Sequence, residues 1–345
     1  MYWTSPNPRV GCVISDAQGR VLGEGHTQPA GLAHAEIMAL NHAQAQGHDV
    51  RGATAYVTLE PCAHHGRTGP CCVALAQAGI ARVVVAMADP NPQVSGAGLA
   101  HLRQHGVQVE LGLLAEQAHE LNIGFFQRMS TGKPWVRMKL AASLDGQTAL
   151  NNGQSQWITS LAARADGHTW RARACAVLTG IGTVLEDDPS LDVRHVATPR
   201  QPTLVLVDSR LQTPSSARLW QPKRPIWIYG GQAAEHDIER LNQLGAQVTC
   251  LPNAAGKVDL AGLLSDLGQR EINELHLEAG AALNGSWLAA GLVDELLIYL
   301  APTLLGEGRG MARLGPFEDL KQALGWRWVN TTPVGDDLRL IARRA

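Results

Sequence analysis

The chain has 345 residues, more than one hydrophobic core usually serves, so two domains are expected. An apolar fraction of 45% and a formal net charge of -2 mark an ordinary globular composition and exclude a globally basic protein that gathers nucleic acid. No basic-then-apolar leader opens the sequence and no apolar run reaches membrane-spanning length, so neither membrane nor nucleic acid is an expected partner and the expected location is cytoplasmic.

In chain order, residues 10–14, a turn at Asp16 and Gly19, and Val21-Leu22 predict a β-hairpin, because apolar runs flank turn-forming residues. Over 34–45, Ala35, Met38, Ala39 and Ala43 recur at helical spacing. A strand is predicted over 53–59, where Tyr56, Val57 and Thr58 favour extension, and a short helix over 71–79 closed by Gly79. A strand over 83–88 ends at Asp89-Pro90; a helix over 99–105, a short strand over 107–111 and a single helix over 116–129 follow. Alternating strands and helices make this an α/β domain with at least part of its sheet parallel. The run from Ser130 to Pro134 punctuates the chain, and the boundary is placed between domains 1–131 and 132–345.

The second domain also reads as α/β. Its predicted strands span 135–141, 176–179, 203–207, 226–229, 248–251, 274–277 and 295–300, and its helices 161–172, 238–244 and 260–267. No internal repeat or long low-complexity tract is present.

Six cysteines are too few for a disulfide scaffold of this length. Cys12, Cys175 and Cys250 sit beside apolar residues and read as small buried hydrophobes. Cys62, Cys71 and Cys72 lie among Pro, His, Gly, Arg and Thr, and a metal explains them better. His34 and Glu36 stand at a predicted helix start, Pro61-Cys62 follows the next strand, and Cys71 opens the next helix. One imidazole and two thiolates hold zinc and leave a fourth position for water, as catalysis requires. Glu36 could take that water's proton during attack on an amidine-like carbon and deliver one to the departing amine. Two alternatives stay open: His64 or His65 as a fourth ligand would make a closed structural site, and Cys72 rivals Cys71. Cys71 is preferred because adjacent helical side chains diverge, which lets Cys72 pack inward.

His34-Ala35-Glu36 with Pro61-Cys62 resembles the cytidine and deoxycytidylate deaminase superfamily. The longer run Glu60-Pro61-Cys62-Ala63-His64-His65-Gly66-Arg67-Thr68-Gly69-Pro70-Cys71 resembles the bifunctional riboflavin biosynthesis deaminase-reductases, as do Pro6-Asn7-Pro8 with Val10-Gly11 and Asp89-Pro90-Asn91-Pro92. Lys139 to Gly146, Ser155 to Ser160, and Thr183-Val184 through Asp187-Asp188-Pro189 to Leu191, Val193 and Arg194 resemble the reductase half of that family. The resemblance implies a cytidine-deaminase-like three-layer domain followed by a dihydrofolate-reductase-like domain, with zinc in the first and NADPH in the second. Hydrolytic deamination of 2,5-diamino-6-(5-phosphoribosylamino)pyrimidin-4-one and reduction of the product's ribosyl group to a ribityl chain are the implied reactions, and a homodimer the implied assembly.

In the first domain His34, Cys62 and Cys71 become the expected metal ligands and Glu36 the proton shuttle. Asn7, His64 and Arg67 offer hydrogen bonds to the pyrimidine and the sugar phosphate, although a turn asparagine and a solvated loop arginine would look the same. In the second, no glycine-rich dinucleotide fingerprint is present, since Gly180-Ile181-Gly182 lacks its third glycine. Polar groups nevertheless collect at strand ends: Ser143 and Asp145, Asp208 and Ser209, and Glu278. The resemblance carries Ala141, Trp157, Thr183, Asp187, Ser209 and Gly280 to the cofactor, and Ser155, Arg171, Leu191, Arg194 and Glu278 to the substrate. Arg171 and Arg194 are expected on the phosphate, Arg210 near the cofactor's 2′-phosphate, and Asp145 and Glu278 as the groups that orient or protonate the sugar.

Two departures from the family stand out. Only five residues precede Pro6, where the family usually has a helix, so either an apolar face of the deaminase sheet is expected to be exposed or the sequence starts late. Ala279 replaces a usual glycine, and its Cβ is expected to narrow the cofactor loop or disfavour a positive φ. The competing readings are a deaminase with an inactive or regulatory second domain, a tRNA or free-cytosine deaminase, and a structural zinc protein without turnover.

Overall fold

The computed structural model describes residues 4–63, 69–91 and 95–345. Its contacts divide the chain into one unit ending at Gly132 and another running from Lys133 to Ala345.

The first unit is built in the order β1 (Gly11–Ser15), β2 (Val21–His26), α1 (Ala35–Ala45), β3 (Thr54–Val57), α2 (Cys71–Gln77), β4 (Arg82–Val85), α3 (Ala97–Gln104), β5 (Gln108–Leu111), α4 (Ala115–Leu121) and α5 (Ile123–Thr131). Its sheet runs β2-β1-β3-β4-β5. The predicted hairpin makes the antiparallel part, and β3, β4 and β5 are parallel. Small residues bring α1 onto the hairpin: Ala35, Ala39 and Ala43 are buried, and a Cβ on Gly23 or Gly25 would fall 2.3 Å from the Ala39 carbonyl oxygen or 2.5 Å from that of Ala35. Strand alternation sends Cys12, Ile14, Ala55, Val57, Val83 and Val85 into the core shared with α1, α2 and α3. Val13 and Tyr56 point the other way and remain 36% and 38% exposed.

The helix predicted over 116–129 is two helices, broken at Asn122. This side chain is 2% exposed, and its amide accepts from the Arg9 N–H at 2.7 Å and donates to the Arg9 carbonyl at 2.8 Å. The break serves that long-range pair, which no periodicity encodes.

The second unit contains β6 (Trp135–Ser143), β7 (Gln147–Leu150), α6 (Leu161–Arg173), β8 (Ala176–Gly180), α7 (Ile181–Asp187), β9 (Thr203–Val207), β10 (Ile226–Gly230), α8 (Glu235–Gln243), β11 (Ala246–Cys250), α9 (Leu260–Gln269), β12 (Glu274–Leu277), α10 (Ala281–Ala289), β13 (Glu295–Ala301), β14 (Gly308–Gly310), β15 (Trp326–Val334) and β16 (Asp337–Arg344). The large sheet runs β11-β10-β9-β8-β12-β6-β13-β16-β15, and β14 pairs with β7 in a small ribbon. Strands β11 through β13 in that order are parallel, so their C-terminal ends share one edge; β16 and β15 close the sheet as an antiparallel hairpin.

Four elements here lack a simple sequence signal. β15 and β16 have polar, exposed positions and Pro333 within a strand. α10 contains Gly285 because a Cβ there would lie 1.9 Å from the Arg313 carbonyl oxygen. β7 is four residues long. Cys250, expected inside, is exposed, because it ends the edge strand β11.

The central strands carry a buried ionic cluster at their N-terminal ends. Arg137 on β6, 2% exposed, meets Glu274 on β12 at 3.0 Å and also Glu295 on β13. Arg173 and Arg343 supply further cations at 2.8 and 2.9 Å, and the Trp170 ring lies 4.5 Å from the Arg137 guanidinium. Removing one member of such a cluster leaves charge buried without its counterpart. Arg137→Ala is expected to destabilise the second unit by about 3–5 kcal/mol, read from urea unfolding, with the first unit's transition unmoved.

Candidate metal centre and cleft

Three loops of the first unit bring its polar groups together. His34 is the N-cap of α1, Glu36 lies in that helix's first turn, Cys62 follows β3, and Cys71 begins α2 behind Pro70. His34 Nδ1 is 3.5 Å from Cys62 Sγ and 3.4 Å from Cys71 Sγ, and the three donor atoms lie within 4.8 Å of one another. The Cys71 N–H donates to Cys62 Sγ at 3.3 Å. Two helix N-termini therefore face the cluster and favour negative sulfur. Cys72 is 1% exposed and packs into the core with Leu75, as its position beside Cys71 suggested.

Without a cation the two thiols share their protons unequally. The hydrogen bond with Cys71 brings Cys62 down to about 4, against burial, and the same bond together with burial pushes Cys71 up. A divalent ion removes that disparity by displacing the remaining proton. One imidazole and two soft thiolates so arranged fit zinc. Burial raises the carboxyl of Glu36, 3% exposed, to about 7.

Glu60, which sequence reasoning passed over, holds this centre from behind. Its buried carboxylate accepts from the N–H groups of Asp89 at 3.1 Å, Gly96 at 3.0 Å, Gly98 at 2.9 Å and Leu99 at 3.4 Å. Gly98 is required there: a Cβ would lie 1.9 Å from the Pro61 carbonyl oxygen. The signal was a glutamate directly before Pro61-Cys62 at the end of an apolar strand. Asn7 is partly exposed, its N–H bonded to the Thr4 carbonyl at 2.8 Å. His64 and Arg67 lie outside the described residues, as do His65 and Thr68.

The second unit has a cleft of about 1980 Å³ at the C-terminal ends of its parallel strands. That volume exceeds an ordinary small-ligand pocket and accommodates a dinucleotide with a second molecule. Ala141, Trp157, Thr183, Asp187, Ser209 and Gly280 all line it, together with Ser155, Arg171, Leu191, Arg194 and Glu278; Arg210 does so too. Trp157 is 65% exposed, with the Arg164 guanidinium 4.3 Å from its ring. Gly180 serves packing, since its Cβ would meet Leu283 at 2.8 Å. Asp188 and Leu191 hold positive φ values of 42° and 51° in the loop after α7. Arg224 pins this strained turn by donating to the carbonyls of Ser190 and Leu191.

Three expectations change on this geometry. Asp145 does not line the cleft: its carboxylate accepts from Ser143 Oγ at 2.5 Å and from the N–H groups of Leu305 and Gly306, which hold it below its ordinary pKa. It anchors the loop that follows β13. The Arg171 fork, expected on phosphate, is engaged with Glu278 at 2.7 and 2.9 Å and with the Asp192 carbonyl at 2.6 Å. Ala279 has no positive φ, so the feared strain is absent, and its carbonyl accepts from Asn284 at 2.9 Å.

Although burial pushes the other way, Arg171 and His276 keep Glu278 well below the usual carboxylate range, so it is an anion. Beside it in the cleft stands Lys139, quoted above within a motif but given no role. Burial draws its ammonium below the usual value against the attraction of Glu278. Its signal was the alternation of Arg137 and Lys139 on an otherwise apolar strand, which puts two cations on one buried face.

Comparisons with known proteins cover both units. Residues 1–87 match the cytidine and deoxycytidylate deaminase zinc-binding region, and residues 134–340 match the RibD C-terminal domain. The riboflavin biosynthesis protein RibD of Escherichia coli is 45% identical over 98% of this chain and 94% of its own length, and that of Aquifex aeolicus is 39% identical over 99% and 94%. Among solved structures, Acinetobacter baumannii RibD covers 100% of this chain and 94% of its own at 42% identity and a TM-score of 0.90. A diaminohydroxyphosphoribosylaminopyrimidine deaminase/5-amino-6-(5-phosphoribosylamino)uracil reductase from Thermotoga maritima does so at 30% identity and a TM-score of 0.88, again covering 100% and 94%. With a zinc-region match on the unit that holds the histidine–cysteine cluster and a reductase-half match on the unit that holds the cleft, the chain belongs to the RibD family of riboflavin biosynthesis proteins.

Proposed function

We infer that this chain is a bifunctional enzyme. Its deaminase domain, 1–131, hydrolyses 2,5-diamino-6-(5-phosphoribosylamino)pyrimidin-4-one to the corresponding uracil and ammonia; its reductase domain, 132–345, uses NADPH to convert that product to 5-amino-6-(5-phosphoribitylamino)uracil. The observation that carries this reading is the coexistence on one chain of a one-imidazole, two-thiolate cluster beside a buried carboxylate and a large cleft with an ionised glutamate, a lysine and arginines. A deaminase with an inactive second domain has no need of that second constellation.

In the first domain His34, Cys62 and Cys71 would hold zinc, which would supply a Lewis acid for activating the water that attacks the amidine carbon. Glu36 accepts a proton from that water and delivers one to the exocyclic nitrogen, so the C–N bond breaks to release ammonia. Asn7 bonds the pyrimidine edge, and His64 and Arg67 meet the ribose phosphate. In the second domain Ala141, Trp157, Thr183, Asp187, Ser209 and Gly280 would hold NADPH, which would supply the hydride for C1′ of the ring-opened sugar. Glu278 orients the sugar hydroxyls, Ser155 and Leu191 flank it, and Arg194, 50% exposed, takes the phosphate. Arg171 holds Glu278. Lys139 is the acid of this site, donating to the imine nitrogen.

We place the enzyme in the cytoplasm, where thiols such as Cys62 and Cys71 stay reduced, and assign it a homodimer. No helix among the described residues is long and apolar enough to cross a membrane. The dimer reading is supported by edge strand β15, where Trp328 is 64% and Val329 40% exposed.

Glu36→Gln is expected to keep its zinc while ammonia release falls roughly 10²–10⁴-fold; metal analysis beside an ammonia assay checks both. In Glu60→Gln an amide nitrogen would face backbone N–H groups, and zinc release to a chelator should quicken about 10-fold or more. NADPH oxidation should require the deaminated substrate, and wild-type protein that oxidises none at saturation would refute the reductase assignment. Trp328→Glu should convert a sedimenting dimer to monomer.

A further inference from the structure

One fully buried histidine beneath the cleft takes no part in the chemistry described so far. His276 on β12 is 0% exposed and pairs in register with Arg137 on β6 and Val177 on β8. Strand alternation sets it on the same face as Glu274 and Glu278, between the ionic cluster and the cleft. Its Nε2 lies 3.3 Å from Glu278 Oε1, the oxygen that also accepts from Arg171 Nε at 2.7 Å. Neither ring nitrogen completes a hydrogen bond of full geometry with any described residue, Glu278 included, so the 3.3 Å approach to Oε1 is a contact still short of one. A buried imidazole in that position has one strong acceptor within reach.

The surroundings decide which proton it carries. Burial lowers its proton affinity, and Arg171 and Arg137 add to that effect, while Glu278 opposes them. The neutral ring bears one N–H. On Nδ1 it would leave an Nε2 lone pair 3.3 Å from a carboxylate oxygen; on Nε2 it would put a donor beside that oxygen.

We propose that His276 is a positioning residue of the reductase site, its Nε2–H holding Oε1 of Glu278 so that the carboxylate keeps a single orientation toward the sugar. Arg171 reaches Glu278 from α6; His276 approaches the same oxygen from β12, the strand that Glu278 directly follows. Two donors on different elements define a direction that one fork does not. The inference rests on the reading of Glu278 as the group that orients the sugar.

The test uses the full chain loaded with zinc, NADPH and the deaminated substrate. His276→Leu removes the donor at similar volume, and His276→Gln restores an N–H at comparable reach. The leucine variant is expected to lose about tenfold in reductase kcat with its NADPH Kd unchanged, and the glutamine variant to stay within about twofold of wild type. Wild-type kcat in His276→Leu overturns the proposal. An equal loss in both variants also overturns it, because packing would then be the cause. Should His276→Leu fail to fold, nitrogen NMR of the wild-type protein decides: the Nε2–H tautomer is expected, and an Nδ1–H tautomer or an imidazolium refutes the contact. The spectrum needs no turnover, so its outcome is separate from the reductase reading, whose own failure is wild-type protein that leaves NADPH unoxidised.

Discussion

A carboxylate taken out of water must be met by donors or cations, and this requirement shapes both units. Glu60 meets four backbone N–H groups, Glu278 meets the Arg171 fork, and Glu274 and Glu295 share Arg137. Each solution fixes backbone as well as charge. The N–H groups around Glu60 come from Asp89 and from the start of α3, so satisfying one side chain docks a loop and a helix behind the metal ligands. For Glu36, burial raises the carboxyl above the usual range.

The two sites place their chemistry by different means. The metal cluster draws on helix N-termini, where backbone dipoles favour thiolate and where successive ligands come from successive elements. The cleft draws on the C-terminal edge of a parallel sheet, which gathers Ala141, Gly180, Asp208 and Glu278 from strands far apart in sequence. At that edge Arg171 and Glu278 engage one another, while Lys139, Arg194 and Arg210 are among the further cations that line the cleft.

Much of this was legible beforehand. The alanine pattern of α1 and the apolar runs of β1, β3 and β4 are local, and local steric and periodic rules read them; His34, Cys62 and Cys71, spaced along the chain, come together in the fold. The misses are long-range. Asn122 breaks a helix because it bonds Arg9, across 113 positions. Gly285 is tolerated in α10 because Arg313 passes against it, and the β15–β16 hairpin, with its exposed polar residues, is held by pairing to β13 rather than by its own pattern.

The amino-acid order alone settled the chemistry that can be done here: which side chains could bind a soft divalent ion, which strand ends carry acid and base, and that two folding units are present. It could not say which of those charged groups would neutralise one another. Packing brings Arg171 to Glu278 and Asp145 to the N–H groups of Leu305 and Gly306, partners that neither residue's place in the sequence announces. Electrostatic interaction falls off over a few ångströms, and distances of that size between residues a hundred positions apart exist only once the chain has folded.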